Sequence, residues 1–186
     1  MSTAPPAGRI DLRTVVTADL GAAEARRLRA FLAEAFGGQF GDDDWSHALG
    51  GVHVLATVDG VLAAHAAVVG RQLVAGDQTL RTGYVEAVAT GAAWRRQGIG
   101  STLMDAVERL VTGGFELGAL AASEDGARLY QNRGWLHWVG QLSARTPDGV
   151  VPTPDEEVFV LPTPTTPPVL DPDGPLTCDW RRGDLW

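Results

Sequence analysis

The residues best suited to chemistry fall into three groups. The stretch Arg95-Arg96-Gln97-Gly98-Ile99-Gly100 stands where an apolar strand pattern ends and an amphipathic helix pattern begins. Glycine lets the main chain come close to a ligand, and the first N–H groups of a helix lack partners at its positive end, so this stretch can seat a pyrophosphate. A short Arg/Gly loop alone reads as a turn; the strand before it and the helix after it favour the anion site. The second group is one carboxylate, Glu86, set among Val85, Ala87 and Val88. A carboxylate in an apolar strand is costly to bury unpaired, so it has either a chemical role or a structural ion-pair partner. The third group is acidic: Asp42 to Asp44, Asp155 to Glu157, Asp179 and Asp184. Singly these read as solvated surface charges.

These groups need elements to hold them. Ile10 to Val16 reads as a strand, and Leu28, Phe31, Leu32, Ala35 and Phe36 form one face of a helix that Gly37-Gly38 stops. The acidic run at Asp42 opens a short second helix. Val52 to Val58 and Val61 to Val69 are β-branched runs on either side of Asp59-Gly60, a tight-hairpin signal. Thr79 to Ala89 extends this meander and carries Glu86. Ile99, Leu103, Val107 and Leu110 line a helix ending at Gly113-Gly114. Phe115 to Ala121 is a further strand, and Ser123 caps a helix reaching about Arg133, with Gly134 at its C′ position. Trp135 to Ala144 and Val158 to Leu161 supply late strands around a polar loop. Leu161 to Pro175 is a proline-rich connector of little regular structure.

With 186 residues, 45% hydrophobic and 20% charged, the chain has the balance of one folded domain over 1–186, with 1–9 as a flexible leader. A net charge of −8 argues against nucleic acid and anionic membranes as partners. Cys178 is the one cysteine, so no internal disulfide forms and no Cys/His cluster can hold a metal. No signal peptide or long apolar run is visible, and a cytoplasmic location is expected.

The loop also matches a family. Arg95, Gly98 and Gly100 fit the pattern Gln/Arg-x-x-Gly-x-Gly/Ala, and Leu129-Tyr130 followed, after three intervening residues, by Gly134-Trp135 matches a second motif in the expected order. In both, the chain resembles the GNAT superfamily of acetyltransferases. Phe40 to Trp45, His65 to Val68, Gly83 to Ala89, Leu117 to Leu120, Val158 to Leu161 and the ending Cys178-Asp179-Trp180-Arg181 with Gly183-Asp184 and Trp186 extend the resemblance to the mycobacterial aminoglycoside 2′-N-acetyltransferases. It covers nearly the whole chain.

That resemblance implies an α/β (more narrowly α+β) GNAT fold: a mixed, mostly antiparallel sheet flanked by helices, with acetyl-CoA in a cleft between splayed central strands. It implies that Glu86 is the base, taking a proton from the substrate ammonium through water, and that Tyr130 protonates the departing thiolate. Val88, Ala89 and Thr90 would meet the pantetheine arm, and Arg95, Arg96, Gln97, Gly98, Ile99 and Gly100 the pyrophosphate. Asp44, Glu86, Ala87, Asp155 or Glu156, Asp184 and the α-carboxylate of Trp186 would bind a polycationic aminoglycoside, with Trp45, Trp180 and Trp186 as walls. A homodimer and no metal are the family habit. Gln39 stands where a relative has an aspartate, and Ala121 and Ala122 replace serines, so the antibiotic range stays open. On residues alone Val88 and Thr90 are plain strand positions and Tyr130 a core tyrosine at a helix end. Two rivals remain: a GNAT enzyme acting on an endogenous amine, and a non-catalytic acyl-CoA or drug-binding protein.

Overall fold

β1 (Ile10–Val16) runs antiparallel to β2 (Val52–Val58), with Ile10 opposite Val58 and Val16 opposite Val52. β2 in turn pairs with β3 (Val61–Ala75) across the Asp59-Gly60 turn, where both residues have positive φ (48° and 81°). Two such residues make the turn whose twist matches that of the strands it joins. These elements belong to a computed structural model that describes residues 8–186, the side chains of Glu124 and Asp125 excepted. Residues 1–7 of the expected leader lie outside the described residues; Arg9 is tied to Asp59, whose carboxylate accepts its N–H at 3.1 Å.

The chain forms two compact units. The first comprises residues up to Ala67 together with Ala87–Val107; the second comprises Val68–Glu86 and Glu108–Trp186. β3, β4 (Gln78–Thr90) and α3 (Ile99–Gly114) each contribute residues to both. In the first unit, α1 (Ala22–Ala35) buries Leu28 and Leu32 against Val15, Leu55 and Ala89, the helical face expected from the apolar spacing. α2 (Asp42–Ala48) follows, its Asp44 carboxylate accepting the Gly41 N–H at 2.7 Å. This hydrogen bond and the dipole at a helix N-terminus explain why the acidic run begins a helix.

The second unit holds a mixed sheet in the order β6-β9-β5-β4-β3-β10-β7-β8. Its further strands are β5 (Leu117–Ala121), β6 (Leu136–His137), β7 (Leu142–Thr146), β8 (Gly149–Pro152), β9 (Val158–Pro162) and β10 (Leu176–Cys178). β4–β5 and β10–β7 are parallel, whereas β5–β9, β6–β9, β7–β8 and β10–β3 are antiparallel. α4 (Glu124–Gln131) begins at Ser123, whose hydroxyl accepts the Gly126 N–H at 3.3 Å, and the chain turns out of it at Gly134, φ +83°. Leu73, Leu80, Tyr84, Leu117, Val160, Leu176 and Trp186 are among the buried residues of this unit's core. Among the described residues no helix is long and apolar enough to cross a membrane.

β3 extends six residues beyond the expected end at Val69. In that extension Arg71 is buried and paired: its Nε donates to Asp179 Oδ1, and its Nη2 donates to the carbonyls of Asp179 and Leu185, each at 2.8 Å. β10 was not foreseen, because three residues after a proline-rich run carry no readable period. The expected strand over Trp135 to Ala144 is broken at Trp138–Gln141. There Trp138 Nε1 donates to Gly174 O at 2.9 Å, and the Val139 and Gly140 N–H groups both reach Pro172 O, at 3.0 and 2.9 Å.

That contact leaves no room for a side chain at Gly140, where a Cβ would stand 1.8 Å from Gly174 O, a main-chain atom that cannot swing aside. Gly140→Ala should therefore lower stability by about 2–3 kcal/mol. Gly113→Ala, in α3 with nothing within 4 Å of its Cβ, should raise it by up to about 1 kcal/mol. Denaturant midpoints at constant m-value compare the two.

Candidate active site

In the first unit Arg95 to Gly98 are exposed and lead straight into α3, whose first residue, Ile99, is buried. Arg96 and Gly98 both have positive φ (61° and 82°), and a Cβ on Gly98 would find nothing within 4 Å. The first helical bond runs from the Thr102 N–H to Gly98 O at 3.1 Å, which leaves the N–H groups of Ile99, Gly100 and Ser101 without a partner inside the helix. Arg95 is not free to meet a ligand in this state: its Nε donates to Thr90 O and its Nη2 to Ala35 O, both at 3.2 Å. The side chain fixes the loop to the end of β4, while Arg96 and Gln97 remain exposed.

β4 departs from regular strand geometry just before that loop. Thr82 to Val85 are buried, Glu86, Ala87 and Val88 are each half-buried, and Ala89 is buried again. Because neighbours in a strand face opposite ways, the strand passes here from burial on both faces to partial exposure on both. Ala87 gives the reason: its φ is +50°, a left-handed conformation costing a non-glycine residue about 1–2 kcal/mol. A single bulged residue re-aims its neighbours.

In the second unit Glu86 does have a structural partner. Its carboxylate pairs with the Arg181 guanidinium, and the two side chains are only 13% and 14% exposed. Arg181 also donates from Nε to Asp184 O and from Nη2 to the Trp186 main-chain oxygen, both at 2.7 Å. Trp186 is buried, its Nε1 donating to Thr153 Oγ1 at 2.7 Å. Glu156 lies in the same field: burial raises its pKa most, the charges of Asp184 and Asp155 raise it further, and Arg181 opposes them. Asp155 and Glu156 line a cavity of about 500 Å³ with His137, Trp138, Gln141 and Pro152. Of the acidic residues chosen from the sequence, Glu86 thus pairs with Arg181, Asp184 meets the same cation through its main-chain oxygen, and Glu156 feels the charges of Arg181, Asp184 and Asp155, with Trp186 beside them. Asp44 belongs to the first unit, where it caps α2, and Trp180 is half exposed.

Tyr130 ends α4 inside an aromatic group, 5.9 Å from Trp135 and 6.2 Å from Phe159 between ring centroids. Burial pushes its phenol up to about 12, so it stays a hydrogen-bond donor at neutral pH. Cys178 is buried in the core with Sγ 3.4 Å from Leu185 O, and burial pushes its thiol up to about 11.

Comparison with known proteins identifies the architecture. A model of the acetyltransferase (GNAT) family matches residues 22–135. The chain belongs to the GNAT family. GNAT proteins are also its structural neighbours: ElaA of Escherichia coli superposes with a TM-score of 0.60 at 18% identity, over 82% of this chain and 99% of that one. A polyamine N-acetyltransferase of Drosophila melanogaster gives 0.58 at 18% identity, over 83% and 100%. At such identities the likeness speaks for the GNAT fold alone. A nearer relative, the aminoglycoside 2′-N-acetyltransferase of Mycolicibacterium fortuitum, is 48% identical over 177 residues, 94% of this chain and 91% of that protein.

Sequence reasoning on this GNAT chain missed Arg71 and Arg181, the two cations that tie down its last residues. Each sits in a stretch where an arginine reads as surface. The signal was present in the need of a buried Glu86 for a partner, but pairing across 95 residues has no local signature. Because Arg181 holds Glu86, Asp184 and Trp186 together, Arg181→Ala should release the tail. Amide exchange at residues 184–186 should accelerate at least roughly tenfold, as expected for losing charge-assisted hydrogen bonds, with Arg181→Lys intermediate; exchange followed by mass spectrometry reads this directly.

Proposed function

We propose that this GNAT protein is an acetyl-CoA-dependent N-acetyltransferase that acetylates the 2′-amine of aminoglycosides, by direct transfer in a ternary complex, and so inactivates the drug. The observation that carries the acceptor side is Glu86 holding a cation amid Glu156 and Asp184. Substrate ammonium groups call for the same partners, and a polyamine sugar brings several. The identity to the M. fortuitum enzyme supports this choice of sugar and position.

The residues at the start of α3 fit a coenzyme A pyrophosphate. Open space over Gly98 admits it, and the N–H groups of Ile99, Gly100 and Ser101 are donors at the positive end of the helix. Exposed Arg96 and Gln97 add charge and a further donor, while Val88, Ala89 and Thr90 are assigned to the pantetheine arm. Acetyl-CoA supplies the activated acyl carbon and departs as the free thiol. Glu86 takes a proton, through water, from an ammonium that is mostly protonated at pH 7. The amine lone pair then forms the new C–N bond as the C–S bond breaks. The Val88 N–H donates to the acyl oxygen while negative charge gathers there. Tyr130 donates its O–H to the departing sulfur. With its phenol near 12 against about 8.5 for a thiol, outright transfer of that proton is uphill, so its main effect is a hydrogen bond to the thiolate. Ammonium and thioester together yield amide, thiol and one proton released to solvent.

Asp44, Ala87, Asp155, Glu156, Asp184 and Trp186 are assigned to acceptor binding. We read 1–186 as one GNAT domain, in line with a family match that draws on both units, and we place the enzyme in the cytoplasm as a homodimer after the habit of the family it resembles.

Mass spectrometry of tobramycin or kanamycin B, which carry a 2′-amine, with acetyl-CoA should show one added acetyl group. Kanamycin A, with a 2′-hydroxyl, should stay unmodified. Glu86→Gln should lower the rate roughly 10²–10⁴-fold without loss of coenzyme A binding by calorimetry. Equal turnover of both kanamycins would move the acceptor to another amine, and absence of coenzyme A binding would overturn the reading.

Glu156 adds a pH signature. Its pKa is raised in the free protein, and a bound polycation favours the carboxylate form, so binding must expel the proton it holds. Titration calorimetry in buffers of differing ionisation enthalpy should show proton release that grows as pH falls from 7.5 into the mildly acidic range. Glu156→Gln should remove that increment.

A further inference from the structure

Two histidines of the first unit, His53 on β2 and His65 on β3, are wholly buried and have no part in the reaction just described. They belong to a continuous line of hydrogen bonds. The Gly50 N–H donates to Thr17 Oγ1 at 2.9 Å, and Thr17 Oγ1 lies 2.9 Å from His53 Nε2. His53 Nδ1 lies 3.0 Å from His65 Nε2, and His65 Nδ1 lies 2.8 Å from Ala87 O.

The last member sets the direction of every bond in the line. A carbonyl oxygen only accepts, so His65 Nδ1 carries the hydrogen. Burial pushes His65 down to about 3, so the ring is neutral at pH 7 and its Nε2 is a lone pair. His53 Nδ1 must then be the donor to it, which leaves His53 Nε2 as acceptor. The Thr17 hydroxyl donates to it, in preference to its alternative acceptor, Gly51 O, at 3.3 Å. Both rings hold the Nδ1–H tautomer. The line ends on a carbonyl, which takes up no proton at neutral pH, so it is not a proton route.

What it holds is the strained peptide. Ala87, at φ +50°, contributes the oxygen, and the same planar trans peptide unit contains the Val88 N–H on its opposite side. Fixing the oxygen therefore aims the N–H. A hydrogen bond to the carbonyl also polarises the unit and makes the N–H a stronger donor. We propose that His65, supported by His53 and Thr17, is a positioning residue that aims and strengthens the Val88 N–H toward the acyl oxygen. The inference rests on the role given to Val88 above.

Four histidines make the test tractable. Long-range 1H–15N spectra of the native protein at pH 7, assigned with single His→Gln variants, should show His53 and His65 as Nδ1–H tautomers, the minor form of free imidazole. His65→Leu should lower kcat at least tenfold while coenzyme A affinity by calorimetry stays within twofold. His65→Asn, whose amide N–H can reach the Nδ1 place, should recover most of kcat, and Thr17→Val should lower it two- to fivefold. An Nε2–H tautomer at either ring overturns the proposal, even where His65→Leu fails to fold. Loss of coenzyme A affinity along with kcat, or no recovery with asparagine, overturns it too. The tautomer measurement needs no substrate, so failure of the acetyltransferase reading, seen as a native protein that neither binds coenzyme A nor turns over, remains distinct.

Discussion

One backbone conformation governs the chemistry-bearing part of this chain: a non-glycine residue at φ +50° inside β4. Without it, Glu86 and Val88 would share one face of a regular strand and Ala87 the other. With it, three neighbours become half-buried in succession, and a strand that is buried from Thr82 to Val85 presents a carboxylate and main-chain groups to what lies beside it. Such strain persists only where surrounding structure imposes it. Within the first unit that restraint is visible as the imidazole N–H of His65 on the Ala87 oxygen, and as Ala87 packed against the cluster of Val15, Leu28, Leu32 and Leu55.

A second constraint acts in the other unit, where two arginines organise the last eight residues. Arg71 binds Asp179 and the Leu185 carbonyl, and Arg181 binds Glu86, Asp184 and the Trp186 oxygen. The two guanidinium carbons lie 4.6 and 5.4 Å from the centre of the Tyr84 ring, so both cations share an aromatic partner as well as carboxylates. A segment with little regular structure is thereby ordered by charge and by burial of Trp186. That order lets acidic groups near the end of the chain serve a site, because a carboxylate on a loose tail would spend in ordering entropy what it gained in binding.

Most of the architecture was legible because it obeys local rules. The Asp59-Gly60 hairpin, the Leu28–Leu32 helical face, the glycine-bounded α3 and the Ser123 cap each depend on a few adjacent residues, and β1, β2 and α3 start where those rules put them. The proline-rich connector likewise stayed irregular. What escaped depends on distant partners: the extension of β3 through buried Arg71, strand β10, and the His53–His65 line, whose two histidines stand twelve residues apart on different strands. The site divides the same way. Its loop carries a motif and its proposed base stands out as an acid among valines and alanines, but the cation that Glu86 holds is far away in sequence. The bulge at Ala87 has no signal at all, since alanine is not a residue that announces positive φ.

The proposed route of acyl transfer also fits the environment of these groups. A covalent acyl-enzyme would need a nucleophile, and the one cysteine is a poor candidate: Cys178 is buried, its thiol is pushed up to about 11, and its sulfur rests against the Leu185 carbonyl. At neutral pH the thiolate fraction of such a group is on the order of 10⁻⁴, far below that of an activated catalytic cysteine. Glu86 has the opposite setting. It is ion-paired with the Arg181 guanidinium near other acidic residues, and in the proposed reaction it takes a proton from the arriving ammonium. The amine, once neutral, is itself a competent nucleophile toward a thioester, so direct attack needs nothing that the site lacks, and an acyl-enzyme would need a thiolate that burial withholds.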